Sequence, residues 1–127
     1  MSLGKVVFGF SILLAATLNF GFVYGDIDNP AHHHVSELFA AIVVNLIATI
    51  MKFGDRTQVG AVHLATSLVA DLQLILAALA WTWAVHVSGD GLTGGATASV
   101  VSLAAGALFA NVVSVLLLIG ETLALRR

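Results

Sequence analysis

Cysteine is absent from the chain, and proline occurs only once, as Pro30. The first absence excludes disulfides, thiolate catalysis and Cys-ligated zinc. The second leaves long stretches in which nothing interrupts a helix. Charge is scarce as well: Asp, Glu, Lys and Arg make up 9% of the residues, against about 25% in soluble domains. A formal net charge of −2 without a basic stripe gives no footprint for nucleic acid. No phosphate-cradling glycine loop, nucleophile–base pair or complete metal motif occurs, so neither an enzyme nor a bound cofactor is expected.

What fills the chain is apolar. Hydrophobic residues make up 59% of the 127, and the mean hydropathy is +1.02, a membrane composition. Four apolar segments are predicted to span a bilayer, at about 6–25, 30–53, 59–87 and 96–125. They leave no room for a second domain. The first follows Met1–Lys5, which looks like the charged start of a signal peptide. Its apolar part runs to about twenty residues, however, longer than a 7–15-residue signal core, and a retained span is expected. Asn29 is placed to cap the second helix with Pro30 at its first position, and Gly54 to end it. No internal repeat relates the two halves.

The links are short, so consecutive helices are expected to be antiparallel neighbours in an all-α, up-down, four-helix membrane bundle. Lys5, Lys52, Arg56, Arg126 and Arg127 all fall at the N-terminus, the second link or the C-terminus. Four spans place these three regions on one side. The other two links carry Asp26, Asp28, Asp90 and three histidines but no Lys or Arg. The positive-inside rule then puts both termini in the cytoplasm, and a bacterial inner-membrane, multi-pass location is expected. Tyr24, Trp81 and Trp83 fit an aromatic belt at the outer span ends.

Within this apolar frame the polar residues stand out. Asp71 lies in the middle of VGAVHLATSLVADLQLILAALAWTWAVHV, where an ionisable group is costly and usually functional. Asn45 is central in the second span and Asn111 in the fourth, near the depth of Asp71. His63, Ser67 and Asp71 recur every four residues along one side of the third helix. Glu37, Ala41, Asn45, Thr49 and Lys52 follow a similar line on the second. Asp71, Asn45, Asn111, His63 and Ser67 are therefore assigned to a pathway that relays a proton or coordinates a cation near the midplane. The plain alternative is interhelical hydrogen bonding that holds the bundle together.

Two further sites are expected. His33 and Glu37 are one turn apart, a spacing suited to two ligands of an outer-face divalent metal, with His86 as a third. Three adjacent histidines at an interface are more often solvated or lipid-facing. Ala98, Ser102, Gly106, Ala110 and Ser114 form a small-residue stripe on the fourth helix that would let a second copy approach closely, or would pack inside the monomer. A homo-oligomer in the lipid bilayer is expected, and a larger membrane protein is a second partner class.

The stretches NFGFVYGDIDNP, LFAAIVVNLIATIMKFGDRTQVGA and ATSLVADLQL resemble a family of small four-span bacterial membrane proteins of unknown function. That resemblance covers nearly the whole chain and implies no activity. Small multidrug exporters place a glutamate in the first span, where this chain has no acidic residue. The double-barrelled fluoride channels carry a glycine-arginine motif in the first span and a phenylalanine-threonine motif in the third, both missing here. Two functions remain: cation or proton transport through the midplane site, or a non-catalytic accessory subunit of a larger membrane complex.

Overall fold

The computed structural model describes residues 3–26 and 28–125. Arg126 and Arg127, two of the cations behind the charge asymmetry, lie outside the described residues, as do Met1, Ser2 and Ile27. The described residues are all-helical, with four helices each long and apolar enough to cross a membrane. These are α1 (Leu3–Val23), α2 (Val35–Lys52), α3 (Gln58–Thr82, continued by Trp83–Val87) and α4 (Gly94–Leu125).

Each helix packs on two others, in the cyclic order α1, α2, α3, α4. The paired residues rise in number along one helix as they fall along its neighbour. Phe8 meets Lys52 and Gly21 meets Glu37 between α1 and α2. Phe39 meets Trp81, and Thr49 meets Asp71, between α2 and α3. Gln73 rests on Gly106, and His63 on Ser114, between α3 and α4. The apolar side chains buried between the helices are mostly small. Ala15, Ala41, Ala48, Ala70, Ala77, Ala104 and Ala107 are buried, while Phe10, Ile50, Leu72, Leu79, Phe109 and Leu116 point outward. Lipid is as apolar as leucine, so close backbone approach and interhelical hydrogen bonds hold such a bundle together.

Asn19 shows how this works. It is 0% exposed, and with its amide nitrogen facing Ala104 O and its oxygen facing Leu108 N–H, both at 3.1 Å, it ties α1 to the backbone of α4. Gly106 lies between those two residues and supplies the bare backbone on which Gln73 sits.

The helix ends differ from the sequence expectation in one place that matters. Asn29 does cap a helical turn, accepting a hydrogen bond from Ala31 N–H at 3.0 Å, but that turn is a three-residue 3₁₀ helix, Pro30–His32. His33 and His34 are extended, and α2 begins only at Val35. The cause is His33, whose ring lies between two backbone carbonyls, Phe22 O at 2.5 Å and Asp26 O at 2.7 Å, and is held back against the end of α1. Gly25, with φ of +110°, provides the left-handed turn after α1, and a Cβ there would collide with His32. Gly54 is not left-handed: α2 ends at Phe53 in ordinary helical geometry.

The link from α2 to α3 is built around Asp55. Its carboxylate accepts from the Thr57 hydroxyl at 2.7 Å, from Thr57 N–H at 3.0 Å and from Lys52 Nζ at 3.4 Å. Thr57 Oγ1 in turn accepts from Gly60 N–H at 2.9 Å and caps α3. The Thr57 hydroxyl bond, then the Thr57 N–H and Lys52, hold the Asp55 carboxyl down at about 2. Gly60 is required here, because a Cβ would coincide with the Asp55 carboxyl. At its other end α3 loosens into a π-helical turn, in which Ser88 N–H bonds Trp83 O at 2.8 Å.

Candidate functional site

All five residues assigned to the pathway are buried: Asn45 and His63 at 0% exposure, Ser67 and Asn111 at 1%, Asp71 at 6%. His63, Ser67 and Asp71 line the inner side of α3 as their four-residue spacing requires. Asp71 does not bond Asn45. Its partner is Thr49, one turn further along α2, whose Oγ1 lies 2.5 Å from Asp71 Oδ2 and 2.9 Å from Asn45 O. Asn45 turns its amide nitrogen back to Ala41 O at 3.0 Å.

The common depth expected for Asn45, Asp71 and Asn111 is not what the bundle adopts. Thr49 is level with Asp71, so Asn45 lies about 6 Å further from the end that carries the chain termini, at 1.5 Å per residue. His63 is level with Ser114, so Asn111 lies closer to Ser67 than to Asp71. Span midpoints mislead because α4 is 32 residues long and α2 only 18. The polar groups are thus strung along the axis rather than gathered in one plane.

His63 begins this line. Its Nδ1 is 2.6 Å from Ser114 Oγ, and its ring meets Phe8 edge-on with centroids 5.1 Å apart. Its Nε2 has no hydrogen-bond partner and lies 4.0 Å from Glu121 Oε1. Glu121 belongs to the wall of a cavity of about 390 Å³ at the end of the bundle near the termini. Lys5, Lys52 and Asp55 line its rim, with Phe8 and Leu118 contributing apolar wall. Lys52 Nζ sits 4.1 Å above the Phe8 ring while paired with Asp55.

Beyond His63 the buried polar atoms without a protein partner, among the described residues, are Ser67 Oγ, both amide atoms of Asn111, Asp71 Oδ1, Gln73 Oε1, Asn45 Oδ1 and, nearer the other end of the bundle, Thr97 Oγ1. An unmet buried polar atom costs about 1–3 kcal/mol, so this series calls for water or an ion along it. Beyond Asn45 the interior is filled mainly by Phe22, Leu38, Ala41, Leu74, Val100 and Val101, with the buried Thr97 hydroxyl set among them. The arrangement is a polar half-route: at one end buried His63 lies 4.0 Å from Glu121 of the cavity wall, and at the other the packing is mainly apolar.

The remaining assigned residues are placed otherwise. Both His33 ring nitrogens are engaged by backbone carbonyls, Glu37 rests on the bare backbone of Gly21, and His86 is exposed with its ring against Trp81. Among the described residues no three His, Cys, Asp or Glu side chains are grouped to hold a metal. The small-residue stripe divides. Ser114 and Ala110 are buried and Gly106 receives Gln73, so this half packs inside the monomer. Ser102 is exposed and Ala98 half-buried. An α4 stripe drifts around the helix when it recurs every four residues against a 3.6-residue turn.

Three groups outside the assigned set contact or approach it: Thr49 at Asp71, and Ser114 and Glu121 at His63. Each lay on a line visible in the sequence. Thr49 is one turn from Asn45, Ser114 is three residues past Asn111, and Glu121 is seven past Ser114. What the sequence lacked was the pairing of helices that makes them contacts.

Residues 32–122 match the family described as "Family of unknown function (DUF6394)". The chain belongs to this family. The DUF6394 match takes in α2, α3 and most of α4, and so every polar group of the half-route, while α1 lies outside it. No curated protein and no solved structure matches the chain.

Proposed function

We propose that this DUF6394 protein moves a cation or proton through a membrane-embedded site at Asp71, reached from the cytoplasm. The observation that carries the reading is the run of buried polar groups strung between the 390 Å³ cavity and Asp71, inside helices that are otherwise apolar. Glu121 and His63 receive the ion, Ser114, Ser67 and Asn111 pass it on, and Asp71 with Thr49 holds it.

The bundle sits in the bacterial inner membrane as an antiparallel up-down set of spans with both termini cytoplasmic. The reversed numbering of the helix contacts and the clustering of Lys and Arg support this orientation. The protein is not an enzyme. Ser114 is hydrogen-bonded to a histidine, but at 0% exposure its hydroxyl is shut off from any substrate carbonyl. The Phe22–Leu38–Val101 plug closes the far side, so transport requires the helices to rearrange, or a second copy to complete the route along the exposed part of the α4 stripe near Ser102.

The same plug favours a second reading, an accessory subunit whose polar line is structural. Flux assays in liposomes separate the two. The transport reading expects ion movement that an Asp71→Asn substitution abolishes. A variant as active as the parent, or a parent with no flux under any ion gradient, would sink it.

A further inference from the structure

We propose that the ion held at Asp71 is a proton and not a metal cation, and that Asp71 carries it on Oδ2 in the conformation described. This rests on reading the half-route as an ion path and specifies what travels along it.

Hydrogen counting around Thr49 is the first ground. The Thr49 hydroxyl has one hydrogen and two close oxygens, Asp71 Oδ2 at 2.5 Å and Asn45 O at 2.9 Å. Were Asp71 a carboxylate, both would be acceptors and the single hydrogen would have to serve two short contacts. With the proton on Oδ2 each contact has its own hydrogen. Asp71 O–H donates to Thr49 Oγ1, and Thr49 O–H donates to Asn45 O.

The surroundings of Asp71 agree. Its other oxygen, Oδ1, is buried and meets no donor. Lys52 is paired with Asp55 and Arg56 lies in the α2–α3 link, at the end of the bundle near the termini, and the one side chain bonded to the Asp71 carboxyl is Thr49. A lone carboxylate with one hydrogen bond and no counter-charge is among the least favourable groups to place in an apolar interior.

The shape of the site is the third ground. Metal cations need several oxygens converging on one point at about 2.3–2.6 Å for calcium, and among the described residues Asp71 has no second acidic or histidine side chain grouped with it to build such a cage. Instead His63, Ser67 and Asp71 follow one another about 6 Å apart along the axis of α3. A file of groups that each donate and accept suits proton hopping. A cation needs a cage.

The step conserves atoms and charge. On release the Asp71 Oδ2–H bond breaks, and the proton passes to a water molecule on the cavity side, which becomes hydronium and carries it on. Asp71 is left as a carboxylate, and the Thr49 hydroxyl turns to donate to it. Loading reverses these changes, with no electron transferred.

Infrared spectroscopy of the full-length protein in liposomes at neutral pH tests the assignment. The parent is expected to show a carboxylic-acid C=O band that shifts in D₂O, is absent in Asp71→Asn, and persists when sodium or potassium is added. If Asp71→Asn fails to fold, Thr49→Val and Thr49→Ser take its place: the band moves in the first and stays in the second. An Asp71 band of carboxylate type, an acid band displaced by sodium, or one indifferent to Thr49→Val would each overturn the proposal. Flux is measured separately. A protonated Asp71 without flux would refute transport alone, and sodium-driven flux through an ionised Asp71 would refute the proton alone.

Discussion

Replacing Asn19 by leucine probes how the bundle holds the half-route in register. Asn19 is fully buried in α1, and with its amide oriented to match the α4 backbone it makes two hydrogen bonds of 3.1 Å, one to Ala104 O and one from Leu108 N–H. Leucine has nearly the same volume, so little cavity forms and the change removes mainly the hydrogen bonds. Interhelical hydrogen bonds in membranes average about 0.6 kcal/mol and reach about 1.7, so two of them place the loss at about 1–3 kcal/mol. In the unfolding equilibrium that is a factor of about five to a little over one hundred. Unfolding in mixed micelles by added dodecyl sulfate, followed through the fluorescence of Trp81 and Trp83, would measure it. Because Asn111 lies seven residues beyond Ala104 on α4, the same variant is expected to slow flux while leaving Asp71 untouched. A leucine variant as stable as the parent would refute the role of Asn19 as the α1–α4 tie.

Two other outcomes are expected. Asp55 has its carboxyl held at about 2, below its ordinary 3.8, so its contribution to stability is complete above that ordinary value and is lost as the pH falls through about 2. Acid titration of helix content should show a low-pH loss in the parent that is absent in Asp55→Asn, and Gly60→Ala should weaken the same cap at neutral pH by displacing the carboxylate. His63→Leu removes the contact to Ser114 and should slow flux about five- to tenfold, the worth of one net hydrogen bond of about 1 kcal/mol, with helix content unchanged on circular dichroism.

Four helices and their approximate extents were legible in the sequence, because an uninterrupted apolar run of twenty residues or so matches the thickness of a bilayer and exceeds what a soluble core helix needs. The buried side of α3 was legible too: four-residue spacing alone put His63, Ser67 and Asp71 together. The start of α2 was not, since Asn29-Pro30 is a strong local start signal and only the pull of His33 toward Phe22 and Asp26 delays the helix to Val35. The partner of Asp71 was also hidden. Span midpoints pointed to Asn45, whereas unequal helix lengths bring Thr49 level with the carboxylate. The α4 stripe read as one surface, yet drift around the helix turns Ala110 and Ser114 inward. Local signals reached as far as one helix, and pairing between helices decided the rest.

Asp71 is proposed to hold the transported ion at the end of a cytoplasmic half-route, and everything else in the transport reading depends on it. Ion flux into liposomes containing purified parent or Asp71→Asn protein, with folding of both checked by circular dichroism, tests it most directly. Gradient-driven flux in the parent and none in the variant is the predicted result. Equal flux in the two proteins would contradict it.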